Sequence, residues 1–136
     1  MIVDKANKSM KKKDIEIYKN LKYLKQMLVQ LSLSYEEQLN SASDVYKWNL
    51  PNDIVSSWEN YEQVVDNLFN AKIIDKDTKD KFEAIVNNFD EASLGSERFE
   101  EIIWSLEGLK NHRFWQNQRE LAKELLLVLS RNIYDE

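Results

Sequence analysis

An all-α fold follows from three features of this 136-residue chain. Apolar residues recur at spacings of three and four along most of its length, which is the period of one helix face. Glycine occurs only at Gly95 and Gly108 and proline only at Pro51, so the turn chemistry that closely spaced strands require is missing. The segments of helical period are joined by short polar stretches, which favours antiparallel neighbours. The expected architecture is a compact antiparallel bundle of about five helices, forming a single domain over residues 14–136 behind a basic tail, 1–13.

That tail is part of a charge asymmetry. Residues 1–26 hold Lys5, Lys8, Lys11, Lys12, Lys13, Lys19, Lys22 and Lys25 against Asp4, Asp14 and Glu16, a balance of +5. The formal charge of the chain is -5, which leaves -10 for the remainder. There is no cysteine, so disulfides, thiolate metal sites and thiol nucleophiles are excluded and a reducing compartment is compatible. The basic start leads into no apolar run of a signal peptide, and no stretch has the length of a membrane span. A soluble, cytoplasmic protein is expected.

Low hydrophobicity and the run Lys11-Lys12-Lys13 predict a flexible tail over 1–13. Asp14 suits the start of the first helix. Along that helix Ile17, Leu21, Leu24, Leu28 and Leu31 are spaced four, three, four, three, a heptad seam. A stripe buried in the bundle is the first reading and a self-association seam the second. The seam is shorter than a coiled coil usually needs.

Ser34 and Glu37 have capping-box spacing, allowing a break and restart before a loop in the polar stretch 41–44. Pro51 fits a first helical turn, with Asn49 or Asn52 as cap, and Ile54, Trp58, Tyr61, Val65 and Leu68 predict one helix over 51–71. Asp75 caps the next helix, 76–91, with Ile74 as its hydrophobic staple. Gly95 supplies a left-handed turn residue and Ser96 a cap for a helical stretch over 97–110, irregular near Ser105. After a turn at Asn111-His112, the segment 113–131 is the most apolar of all. Its stripe of Leu121, Leu125 and Leu129 is expected to be buried, with Lys123 on the opposite face.

Catalytic chemistry finds little support. The single histidine, His112, has Leu109 three positions before it rather than a glutamate, so the ligand pattern of helical metal centres is missing. Gly95 and Gly108 stand alone, so no phosphate loop forms. Carboxylate pairs occur at Glu36/Glu37, Asp90/Glu91 and Glu100/Glu101, but solvated helix faces produce the same pairs. No catalytic residue, cofactor or metal is expected. The lysines near Tyr18 and Tyr23 could neutralise phosphates, yet the chain as a whole is acidic and arginine first occurs at Arg98; both features argue against nucleic acid. Of the four tryptophans, Trp58 and Trp115 lie on core stripes, whereas Trp48 and Trp104 are candidate interface anchors.

One stretch carries a resemblance. Asn49-Leu50-Pro51, Val64-Val65-Asp66-Asn67-Leu68, Ile74-Asp75, Trp104-Ser105-x-x-Gly108-Leu109 and Phe114-Trp115-x-x-x-Arg119-x-x-Ala122-x-x-x-Leu126 together resemble the small helical immunity-type proteins of bacterial toxin–immunity systems. The resemblance covers about residues 49–128, rests mainly on packing residues, and leaves out the lysine-rich first helix. It implies a cytoplasmic protein without catalytic activity that binds and neutralises a cognate toxin domain. Toxin domains that attack nucleic acids are generally basic, and an acidic partner gains on-rate and specificity from complementary potential.

The expected partner-binding residues are therefore Asp90, Glu91, Glu97, Glu100 and Glu101 around the turn at Gly95, with Trp48 and Trp104 as anchors. The expected partner is a basic toxin domain, without membrane, and the chain itself a monomer or weak homodimer. The alternative is a structural or regulatory protein that self-associates through the first helix.

Overall fold

The first helix, α1, runs from Lys12 to Ser32, starting slightly before the expected Asp14. It belongs to a computed structural model that describes residues 12–42 and 47–131. The expected basic tail therefore lies almost wholly outside the described residues, as do half of the expected loop at 41–44 and the end of the chain, 132–136.

Ile17, Leu21, Leu24, Leu28 and Leu31 are all buried, because α1 packs against α4 (Tyr61–Asn70) and α7 (Arg113–Leu129). Fully burying each such side chain stabilises by about 1.5–3 kcal/mol. The seam is thus a core stripe, which leaves none of its five residues at the surface to meet a second copy.

α1 ends where Ser34 caps α2 (Tyr35–Ser41). The capping box is complete: the Glu37 amide donates to Ser34 Oγ and the Ser34 amide to Glu37 Oε1, both at 3.2 Å. Gln38, buried on α2, donates to the Gln30 and Leu31 carbonyls and so satisfies part of the unpaired end of α1.

The helix expected over 51–71 is two. α3 spans Leu50–Ser56, after a 3-10 turn at Lys47–Asn49, and α4 starts again at Tyr61. In the gap the amides of Trp58, Glu59 and Tyr61 bond three residues back rather than four. The Ser57 hydroxyl turns back onto the Ile54 carbonyl at 2.6 Å, while the Ser57 carbonyl accepts from the Tyr23 hydroxyl of α1 at 2.9 Å. A local side-chain bond and a tertiary one compete with the helical ladder, and the ladder gives way.

α4 closes with Lys72 at φ 63°, the Ile73 amide bonding the Leu68 carbonyl and the Lys72 amide that of Phe69. This is the left-handed termination usually given to glycine. α5 (Lys76–Ala92) begins on the expected cap, Asp75 Oδ1 accepting from the Thr78 amide at 2.8 Å, with Ile74 buried beside it.

The stretch expected to be helical over 97–110 departs from that reading at its start. Residues 97–100 are turn and extended chain, followed by a 3-10 helix at Glu101–Trp104 and then α6 (Leu106–Asn111). Ser96 is not the cap, since its hydroxyl pairs with that of Ser93 at 3.1 Å. The irregularity at Ser105 is present, and Ser105 Oγ accepts from the Gly108 amide to cap α6. Two indoles hold the 3-10 helix down: Trp104 Nε1 donates to the Ala92 carbonyl at 2.9 Å and Trp115 Nε1 to the Ile103 carbonyl at 2.8 Å.

α7 packs on α1, α5 and α6. Leu125 and Leu129 are buried, whereas Leu121 is only half-buried, so the expected stripe turns toward the rim at its first residue. Trp58 and Trp115 are core, as their stripes imply, and Phe89 bridges them with ring centroids 6.1 and 5.9 Å away. Among the described residues the fold is all-α.

Candidate functional site

Asp90 and Glu91 end α5, the chain reverses at Gly95 with φ 85°, and Glu100 and Glu101 lead into the 3-10 helix. The Arg98 amide donates to the Glu91 carbonyl, and Trp104 reaches back to Ala92. The five carboxylates expected to act together thus flank one turn of the chain, and all five are exposed.

Their charges are not equivalent. Glu91 pairs with Arg98 at 3.6 Å and Glu100 with His112 at 3.2 Å. Asp90, Glu97 and Glu101 make no ion pair among the described residues. A cleft of about 210 Å³ beside the turn is lined by Glu91 and Glu100 but also by Arg98, His112 and Arg113; Asp90, Glu97 and Glu101 do not line it. The cleft lining is therefore of mixed charge.

That excess continues beyond the turn. Burial pushes the Tyr61 hydroxyl above its usual range, and the charges of Glu62, Glu83, Asp90 and Asp66 push it further in the same direction. Asp90 and Glu83 of α5 and Glu62 and Asp66 of α4 thus act on the same hydroxyl, Asp66 being itself paired with Lys79 at 3.3 Å.

His112 has a defined protonation pattern. Its Nδ1 accepts from the Phe114 amide at 2.9 Å, capping α7, while Nε2 faces the Glu100 carboxylate. A carboxylate only accepts, so the ring proton lies on Nε2.

The two candidate anchors differ. Trp104 is half-buried, its N–H is already bonded, and its ring meets Trp115 edge-on at 6.1 Å. It is a wall of the corner with one open side. Trp48 is 69 % exposed on the 3-10 turn before α3. That turn packs on α3, which in turn packs on α6 and on the 3-10 helix carrying Glu101 and Trp104.

A second concavity had no place in the sequence reading. The outer side of α1 forms the bed of an open groove of about 920 Å³. Leu21 and Met27 form its floor, Tyr18 and Val29 stand half out of it, and Ser41 and Ser57 bound its far side. Among the described residues its charged lining is Lys22 and Lys25. The heptad seam, whose Leu21 also lines the groove, is the stronger pattern and hides this one; the available signal was the apolar pair Tyr18 and Val29, with Ile15, outside the seam.

Among the described residues no group of three or more His, Cys, Asp or Glu is arranged to hold a metal, and no helix is long and apolar enough to cross a membrane. No protein-family model, curated protein or solved structure matches the chain.

Proposed function

We propose that this chain is a non-enzymatic, cytoplasmic binding protein of the bacterial immunity type, which receives a basic toxin domain on the corner around Gly95. The observation that carries this reading is that Asp90, Glu97 and Glu101, which flank the turn at Gly95, are exposed and free of ion pairs among the described residues, with the half-buried Trp104 three positions after Glu101. Opposed potentials of this kind accelerate encounter and reject like-charged competitors. A half-buried aromatic next to them offers a preorganised anchor with little rotamer freedom left to lose. The resemblance over residues 49–128 points the same way. Trp48 would extend the contact area toward α3.

Pull-down from the source cytosol with the wild type and with Glu97→Lys/Glu101→Lys tests the proposal. Both substituted positions are exposed, so the fold is retained. A basic protein recovered by the wild type and lost by the variant supports the corner as the docking site. Equal recovery by both removes it.

A further inference from the structure

His112 stands at the junction of two helices and serves both. Its backbone amide donates to the Gly108 carbonyl at 2.8 Å and closes α6, while its side chain caps α7, Nδ1 accepting from the Phe114 amide at 2.9 Å. On the other edge of the ring Nε2 meets Glu100 Oε1 at 3.2 Å. The usual helix caps are side-chain oxygens, whose lone pairs persist in mild acid. A ring nitrogen is different: it accepts only while it lacks a proton, and an imidazolium carries a proton on both nitrogens.

We infer that His112 makes the start of α7 a pH-operated latch, in which a proton taken up from solvent at Nδ1 releases the Phe114 amide and leaves the ring held by Glu100 instead. The lone pair that accepted the Phe114 N–H then binds the new proton, and the contact of Nε2 with the Glu100 carboxylate becomes an ion pair. Rotating the ring does not restore the cap, since neither nitrogen then offers a lone pair. The Phe114 amide joins the unpaired donors of the first turn of α7. It does so beside the cleft of about 210 Å³ that both residues line, where water has room to replace the ring.

The charged groups around the ring act on that proton in opposite directions. Glu100 and Glu91 of the same cleft favour the imidazolium, whereas Arg98, Arg113 and the positive end of α7 oppose it. On α6, Glu107 accepts from Asn111 at 3.2 Å and Lys110 lies over the Tyr35 ring at 5.9 Å, each with a partner of its own. Carboxylates and guanidinium groups ordinarily keep their charge between about pH 5 and about pH 8, and His112 is the one histidine of the chain, so a change within that range belongs to this ring. The release reaches the corner around Gly95. The Phe114 ring packs on Phe89, Trp104 and Trp115, and Trp115 Nε1 holds the Ile103 carbonyl of the 3-10 helix that carries Glu101. The latch is independent of what docks there, so it stands or falls without the proposed function.

Nuclear magnetic resonance of the full chain labelled with nitrogen-15, followed from about pH 8 to about pH 5, decides it. At the upper end Nε2 is expected to carry the ring proton and Nδ1 to be bare, with the Phe114 amide proton shifted downfield by its hydrogen bond. On acidification that amide should move upfield with the same midpoint as the His112 ring. In His112→Asn the side-chain oxygen caps without titrating, so the Phe114 amide should hold its position over the whole range. A ring proton on Nδ1 at the upper end, a Phe114 amide that stays in place while the ring titrates, or an amide shift that persists in His112→Asn would each overturn the inference. The first two readouts use the wild type alone and remain decisive if the variant folds poorly.

Discussion

Arg119 Nη2 lies 2.8 Å from Gln38 Oε1, joining positions 81 apart in the chain. The same nitrogen reaches the Leu109 carbonyl at 2.7 Å, and Nε reaches that of Leu33 at 3.1 Å. Gln38 gives its own amide to Gln30 and Leu31, so one buried network ties the ends of α1, α2 and α6 to α7. Burial pushes the guanidinium pKa down, with Glu36 opposing, yet an arginine stays charged in proteins. These hydrogen bonds to neutral oxygens therefore take the place of the lost water.

Lysine at position 119 would keep the charge but not the planar fork that serves several acceptors at once. Arg119→Lys is expected to cost about 2–4 kcal/mol, and Gln38→Ala about 1–3 kcal/mol. Because both act in one network, the double variant should lose clearly less than the sum. Urea denaturation of the four proteins measures this; additivity within about 0.5 kcal/mol would show that the two residues act separately.

Leu125 is 0 % exposed, whereas Lys123 on the same helix is exposed. Leu125→Ala should therefore lose about 2–5 kcal/mol through lost transfer energy and a residual cavity. Lys123→Ala should stay within about 0.5 kcal/mol of wild type. Thermal melts distinguish them, and equal shifts would place α7 at the periphery of the fold.

Backbone chemistry supplies two opposite expectations. A Cβ on Gly108 would stand 1.8 Å from the Ile102 carbonyl oxygen and 3.0 Å from Ile103 Cα, so Gly108→Ala must displace backbone and should cost more than the roughly 1–3 kcal/mol of ordinary overpacking. Lys72 pays for a left-handed conformation, φ 63°, with a Cβ in place. Lys72→Gly should accordingly stabilise by about 1 kcal/mol. A melting temperature for Lys72→Gly at or below that of wild type would contradict this.

Asp75 makes one part of the stability depend on pH. The hydrogen bonds from Thr78, backbone first and then side chain, hold its carboxyl below the ordinary value of 3.8. A group depressed in the folded state stabilises above its unfolded pKa, and that contribution disappears as pH falls through the folded value. Asp75→Asn should therefore be less stable than wild type at neutral pH, with the gap closing as the solution is acidified below 3.8. Denaturant midpoints across this range provide the measurement. A gap that widened on acidification would mean that Asp75 stabilises α5 in some way other than as a charged cap.

Local chemistry made much of this protein readable in advance. The all-α class, the stripes on α1 and α7, the capping box at Ser34, the Asp75 cap and the left-handed turn at Gly95 depend on residues within a few positions of one another. The placement of Asp90, Glu91, Glu97, Glu100 and Glu101 around one turn was equally plain, because a single reversal of the chain connects them.

What long-range contacts decide was not readable. Tyr23 takes the Ser57 carbonyl from 34 positions away and helps to break the helix expected over 51–71. Arg98 pairs with one of the five acids and His112 Nε2 hydrogen-bonds another because of where the 3-10 helix is held, and that position depends on Trp104 and Trp115 reaching carbonyls across the fold. The groove exists because α1 turns one face to the core and leaves another uncovered. Periodicity tells which residues share a helix face; only the packing of helices against one another settles which faces are covered, which charges remain unpaired, and where a partner finds room.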